Sequence, residues 1–204
     1  MQRCKVGLIT LVLSCTGICG FAQQQPALQK QITAALDANV NISDSVATMK
    51  KLRASPADLA QVLGTIASDR SETHQRRWRA MLALGQVHDI SSATYLVGLL
   101  NDPKPFYRCT AIQSLSAIRS WPAVPFLIGK LDDRSTCLQL DQSHGPSLPV
   151  FVCDEAVRAL EEISGCSFEA EKNLAQIGHR SVQPWKTWWE KRGQKCGKRT
   201  STQP

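Results

Sequence analysis

An all-α fold, a short α-solenoid of helical hairpins with one small β insertion, follows from three observations in the 204-residue sequence. The first is a gapless self-match at a spacing of 31 residues: Arg77, Ala80, Met81, Leu84, Val87, Tyr95, Leu96, Val97, Gly98, Leu100 and Asp102 recur as Arg108, Ala111, Ile112, Leu115, Ile118, Phe126, Leu127, Ile128, Gly129, Leu131 and Asp133. A fixed period of that size marks one supersecondary unit stacked on its copies. The second is apolar spacing of three and four residues in most other segments, the signature of amphipathic helices. The third is a turn-rich, β-prone interruption over residues 134–153.

Leu28, Ile32 and Leu36 predict a first helix over Pro26 to Ala38, broken at Asn39 to Asn41. Ser43 suits the cap of a second helix, with Val46, Met49 and Leu52 inward. Ser55-Pro56 is a start signal, an N-cap followed by proline in the first turn. Leu59, Val62, Leu63 and Ile66 carry that helix to Asp69. The two matched repeats follow, as Arg76 to Val87 with Ser92 to Leu100, then Phe106 to Ile118 with Pro122 to Leu131. Trp78, Met81, Leu82 and Leu84 surround the Arg76 helix, as expected when a helix packs between neighbours. Gly98 and Gly129, at one repeat position, read as points of close helix packing.

Ala156, Val157 and Leu160 repeat Ala111, Ile112 and Leu115 at an offset of 45, so 14 residues are inserted between the second and third copies. Cys137 to Leu140 and Val150 to Cys153 flank the insertion as β-prone runs and predict a small hairpin closed by a disulfide. A last helix spans Ser181 to Arg192.

The ends differ from the body. Arg3 and Lys5, the apolar run Val6 to Cys19, and Gly20-Phe21-Ala22 form a secretory signal over residues 1–22, with cleavage before Gln23. A lipid anchor at Cys15, after Val12-Leu13-Ser14, is the alternative. The predicted organisation is a helix and linker at 23–42, a repeat domain at 43–192 and a basic disordered tail at 193–204. The net charge of +7 is concentrated at those ends: residues 23–179 hold 15 basic and 16 acidic side chains. A neutral body argues against nucleic acid, which would ask for Lys and Arg spread over one face. Any membrane contact falls to the basic tail or to the lipid anchor.

Five of the eight cysteines, Cys109, Cys137, Cys153, Cys166 and Cys196, lie beyond the signal. In an oxidising compartment, two bridges and one free thiol are expected, and sequence leaves the pairing open. Cys137 with Cys153, across the insertion, and Cys166 with Cys196, around the C-terminal segment, are the favoured candidates. Cys109 aligns with Trp78 and reads as the buried, unpaired one.

Arg77-x-x-Ala80 and Arg108-x-x-Ala111, with Leu100-x-Asp102 and Leu131-x-Asp133 closing each unit, are similar to the HEAT-repeat family, particularly its short phycobilin-lyase-like type. Trp185-x-x-Trp188-Trp189 after Ser164-Gly165 and Phe168 resembles the closing helix of exported bacterial HEAT-repeat proteins. The resemblance spans residues 43–192 and implies a right-handed solenoid used as a binding scaffold. It implies an Asp–Arg ladder whose rung here is Asp102 with Arg108, interrupted at Asp133 because Cys153 takes the aligned arginine's place. It also implies a groove lined by the second helices, with Tyr95, Thr94, Lys104 and Lys130 at its rim, and a cap formed by Trp185, Trp188 and Trp189.

No catalytic constellation emerges. His74, His88, His144 and His179 are scattered, and there is neither a nucleophile elbow nor a phosphate loop. His144 with Cys137 and Cys153 matches no zinc-ligand spacing and lacks a fourth ligand. The expectation is an exported, monomeric, non-enzymatic scaffold that binds a protein or peptide, with no cofactor and no metal. A chromophore- or ligand-handling lyase relative and an envelope structural module are the alternatives.

Overall fold

The computed structural model describes residues 18–38, 41–52, 54–87, 89–138, 149–168 and 181–196. They are mostly helical, with one two-stranded sheet. In chain order they form α1 (Ile18–Ala38), α2 (Ile42–Lys50), α3 (Pro56–Ser68), α4 (His74–Val87), α5 (Ile90–Leu99) and α6 (Pro105–Ala117). A 3-10 turn (Trp121–Ala123) leads into α7 (Val124–Ile128), followed by β1 (Thr136–Leu138), β2 (Val150–Phe151), α8 (Val152–Ser164) and α9 (Gln183–Cys196). Most of the expected signal (1–17), Cys15, His88, His144, His179 and the tail beyond residue 196 lie outside the described residues.

Local chemistry explains the boundaries. Ser55 caps α3 in a capping box, its hydroxyl accepting from Asp58 N–H at 3.1 Å while the Asp58 carboxylate accepts from Ser55 N–H at 3.2 Å. α6 ends with Arg119 in the left-handed region (φ 49°), and Ser120 N–H donates to Leu115 O at 3.1 Å, a Schellman-type closure formed without glycine. The expected helix over Pro122 to Leu131 is shorter than its repeat match. Pro122 and Pro125 lack backbone donors and favour a tight start, and Lys130 and Leu131 N–H groups bond three residues back rather than four. α9 instead runs past Arg192 to Cys196, so the expected disordered tail begins in helix.

The helices share one hydrophobic core. α2, α4, α6 and α8 pack each against the next; α3 packs on α5, and α7 on α9. Leu84, Leu96, Leu115 and Leu127, at equivalent repeat positions, are all fully buried in that core. α1 joins the same core through Ile32, Ala35 and Leu36. It is fixed from outside by Arg76, which chelates Asp37 (2.8 Å), and from inside by Arg79, which donates to the Leu36 carbonyl near the helix end.

β1 and β2 pair antiparallel, Thr136 against Phe151 and Leu138 against Val150. The pairing continues past the strands, with Val152 N–H on Ser135 O (3.0 Å) and Cys153 N–H on Asp133 O (2.9 Å). This register decides the disulfide. It sets Cys153 opposite Asp133, several positions along from Cys137, too far for the expected bridge. Cys137 is bonded to Cys109 of α6 instead, with Cα atoms 5.8 Å apart. Cys109 is therefore paired, and Cys153 is a buried free thiol whose pKa burial pushes up. Cys166 is also free, and the side chain of Cys196, its expected partner, lies outside the described residues.

Candidate functional site

Arginine and aspartate side chains organise the turns between hairpins, in a pairing unlike the expected rung. Arg77 Nη2 donates to Asp102 Oδ2 at 2.7 Å, with both side chains almost fully buried, and Arg77 Nε donates to Ala67 O at 3.0 Å. Arg108 pairs with Asp133 at 2.9 Å and touches Asp102 only at its backbone carbonyl, 2.8 Å away. Each arginine thus reaches the aspartate 25 residues downstream, in its own repeat, and only the main chain of the repeat before. Asp133, expected to be unpartnered, holds Arg108; where an arginine is missing at Cys153, that residue's backbone N–H bonds the Asp133 carbonyl. Burial raises the Asp133 pKa, but hydrogen bonds from Ser135 and Arg108 outweigh it and hold the carboxyl below its ordinary value.

An aromatic cluster stands beside the buried pair. The Arg77 guanidinium lies 4.0 Å from the centre of the Tyr107 ring, and Tyr107 OH is 2.9 Å from His74 Nδ1. Phe106 packs on His74 (centroids 4.8 Å) and contacts the outward-facing Trp78 (6.5 Å). All four rings have neighbours inside the fold, so this cluster locks the starts of α4 and α6 together.

At the C-terminal end, Trp185 is fully buried and meets Phe168 edge-on at 4.7 Å and Trp188 at 5.5 Å. Trp188 is buried against Trp121, whereas Trp189 stays partly exposed. Two indoles therefore fill the junction of α7 and α9, and the third borders solvent. Lys186 secures the same junction through Asp132, 2.6 Å away.

The second-helix face is the remaining candidate for contact with a partner. Tyr95 is half-buried, and its ring lies so close to Gly64 of α3 that a methyl group there would sit 2.3 Å from the ring carbons. Tyr95 thus packs between α3 and α5 and is not a free rim side chain. Its repeat equivalent Phe126 is 51% exposed. Gly98, expected to permit close packing, has nothing within 4 Å of where a Cβ would lie; Gly129 meets only its own helix at Phe126 O, 3.3 Å away. The close approaches fall at Gly64 and at Gly85, where a Cβ would lie 3.1 Å from Ser114 Cα. Thr94 is exposed, Lys104 is exposed 5.9 Å from the Tyr107 ring, and Lys130 Nζ donates to Asn101 Oδ1 at 2.9 Å.

Cys137, one member of the imagined zinc set, is consumed by its disulfide, and no cluster of three metal-ligating side chains occurs among the described residues. No helix among them is long and apolar enough to cross a membrane. No family model matches the chain. A search of curated proteins likewise finds no match.

Proposed function

We propose that this protein is an exported, non-enzymatic scaffold, a short right-handed α-solenoid of HEAT-like hairpins whose second-helix face binds another protein or a peptide. The observation that carries the reading is the face itself. Phe126 of α7 is left half exposed, and Gly98 of α5 gives up helix propensity of about 1 kcal/mol with neither a positive φ nor a close neighbour to require glycine. A large exposed aromatic and an open stretch of helix backbone suit a partner that lies close against the helices. The alternation of α4, α5, α6 and α7, with equivalent leucines buried, supports the solenoid. The leader-like first 22 residues and the Cys109–Cys137 disulfide support export, because such bonds persist in oxidising compartments.

Site-specific photo-crosslinking tests the reading. A photoreactive residue replacing Thr94 should give a discrete, saturable adduct with a partner in the envelope fraction, and one replacing Gln113, exposed on a first helix, should not. Equal labelling from both positions, or none from Thr94, would count against it.

A further inference from the structure

The corner of this face where α5 and α7 end is unevenly charged. Asp102 is matched by Arg77, Asp133 by Arg108 and Asp132 by Lys186. Two further cations at that corner have no carboxylate paired with them among the described residues. Lys130 is held by the neutral amide of Asn101, and Lys104 extends over the Tyr107 ring from the same turn that carries Asn101. Asn101 thus fixes the Lys130 ammonium beside the Lys104 turn. Phe126 lies one helical turn before Lys130, and the open Gly98 one turn before Asn101. Positive charge, an apolar ring and an accessible backbone surface therefore converge.

We propose that this corner receives an acidic peptide segment: Asp or Glu side chains pair with Lys104 and Lys130, an apolar side chain rests on Phe126, and the segment passes over Gly98. Charge complementarity selects this occupant. An unmatched pair of ammonium groups attracts carboxylates and repels basic segments, so it sets specificity more than affinity. The inference rests on the second-helix face being a peptide-binding surface and adds the chemistry of the peptide.

The test uses the full chain, a synthetic array of short peptides of mixed composition, and one labelled probe, acetyl-Glu-Glu-Leu-Glu-Glu-amide, with its all-lysine counterpart. The glutamate probe should bind, weaken as salt rises, and lose about tenfold in affinity in the Lys104→Glu/Lys130→Glu variant. Lys104→Met/Lys130→Met should lose less, and the lysine probe should not bind. Array peptides that bind without acidic bias, blocked by Gly98→Trp but indifferent to the charge reversals, would overturn the acidic chemistry and leave the peptide-binding face standing. Glutamate-probe binding that survives both double variants would also overturn it, assigning the probe to other cations such as those after residue 190. Binding of no peptide at all would overturn both readings.

Discussion

Arg108 stands to Asp133 as Arg77 stands to Asp102, 25 residues apart in each case, yet the second pair is almost sealed from water and the first is partly open. That difference in burial predicts a difference in stability. Truncating one member of a sealed ion pair strands the other charge, at a cost of about 3–5 kcal/mol, whereas a partly exposed pair contributes about 1 kcal/mol or less. Asp102→Ala should therefore lower the urea midpoint far more than Asp133→Ala. Similar losses from both would show that burial does not set the strength of these contacts.

The glycines should respond in opposite directions. Gly64→Ala drives a methyl group into the Tyr95 ring and should destabilise by about 1–3 kcal/mol. Gly98→Ala adds a methyl into open space within a helix and should stabilise by up to about 1 kcal/mol. Thermal melts of the two variants measure this directly, and Tyr95→Ala should recover part of the Gly64→Ala loss.

Thiol chemistry gives a third outcome. Peptide mapping without reductant should recover Cys109 joined to Cys137, and Cys109→Ala/Cys137→Ala should cost about 2–4 kcal/mol by loop closure over the 28-residue separation. Native protein should alkylate at Cys166 before Cys153. The Cys153 thiol is buried and its pKa is raised, so it offers little thiolate until the chain unfolds. Rapid native labelling of Cys153 would contradict its placement.

Acid should weaken the fold through identified carboxylates. The hydrogen bond from Arg76 holds the Asp37 pKa below its ordinary 3.8, and Asp133 is also lowered on balance, since the bonds from Ser135 and Arg108 exceed the opposing effect of burial. In both cases the unfolded chain binds the proton more tightly. Their contribution is therefore fully present above the ordinary carboxylate value and is lost as pH falls through the lowered folded values. Melting temperature should fall below about pH 4, with a shallower slope in Asp37→Asn/Asp133→Asn. An unchanged slope would remove these two groups as the cause.

The helices were largely legible because helix formation leaves a local periodic trace. Ser55-Pro56 marked the α3 start, and the repeated leucines marked the buried seam. Pairings across the packing were not. Arg108 lies six residues from Asp102 and 25 from Asp133, and only the relative position of turn and helix decides between the two carboxylates. Cys137 lies 16 residues from Cys153, but strand register, which spacing does not reveal, turns it toward α6. The candidate face was partly readable. The family resemblance implied Lys104 and Lys130 at a rim, whereas Tyr95 and Phe126 share a repeat position and differ in exposure because Tyr95 packs on Gly64 of α3.

The short ladder between β1 and β2 fastens both ends of the inserted segment side by side, and the bond from Cys137 to α6 anchors the entry strand to the body. The chain therefore enters α8 from a point already tied to the body, with Val152 and Cys153 held on Ser135 and Asp133 before the first turn of that helix is complete.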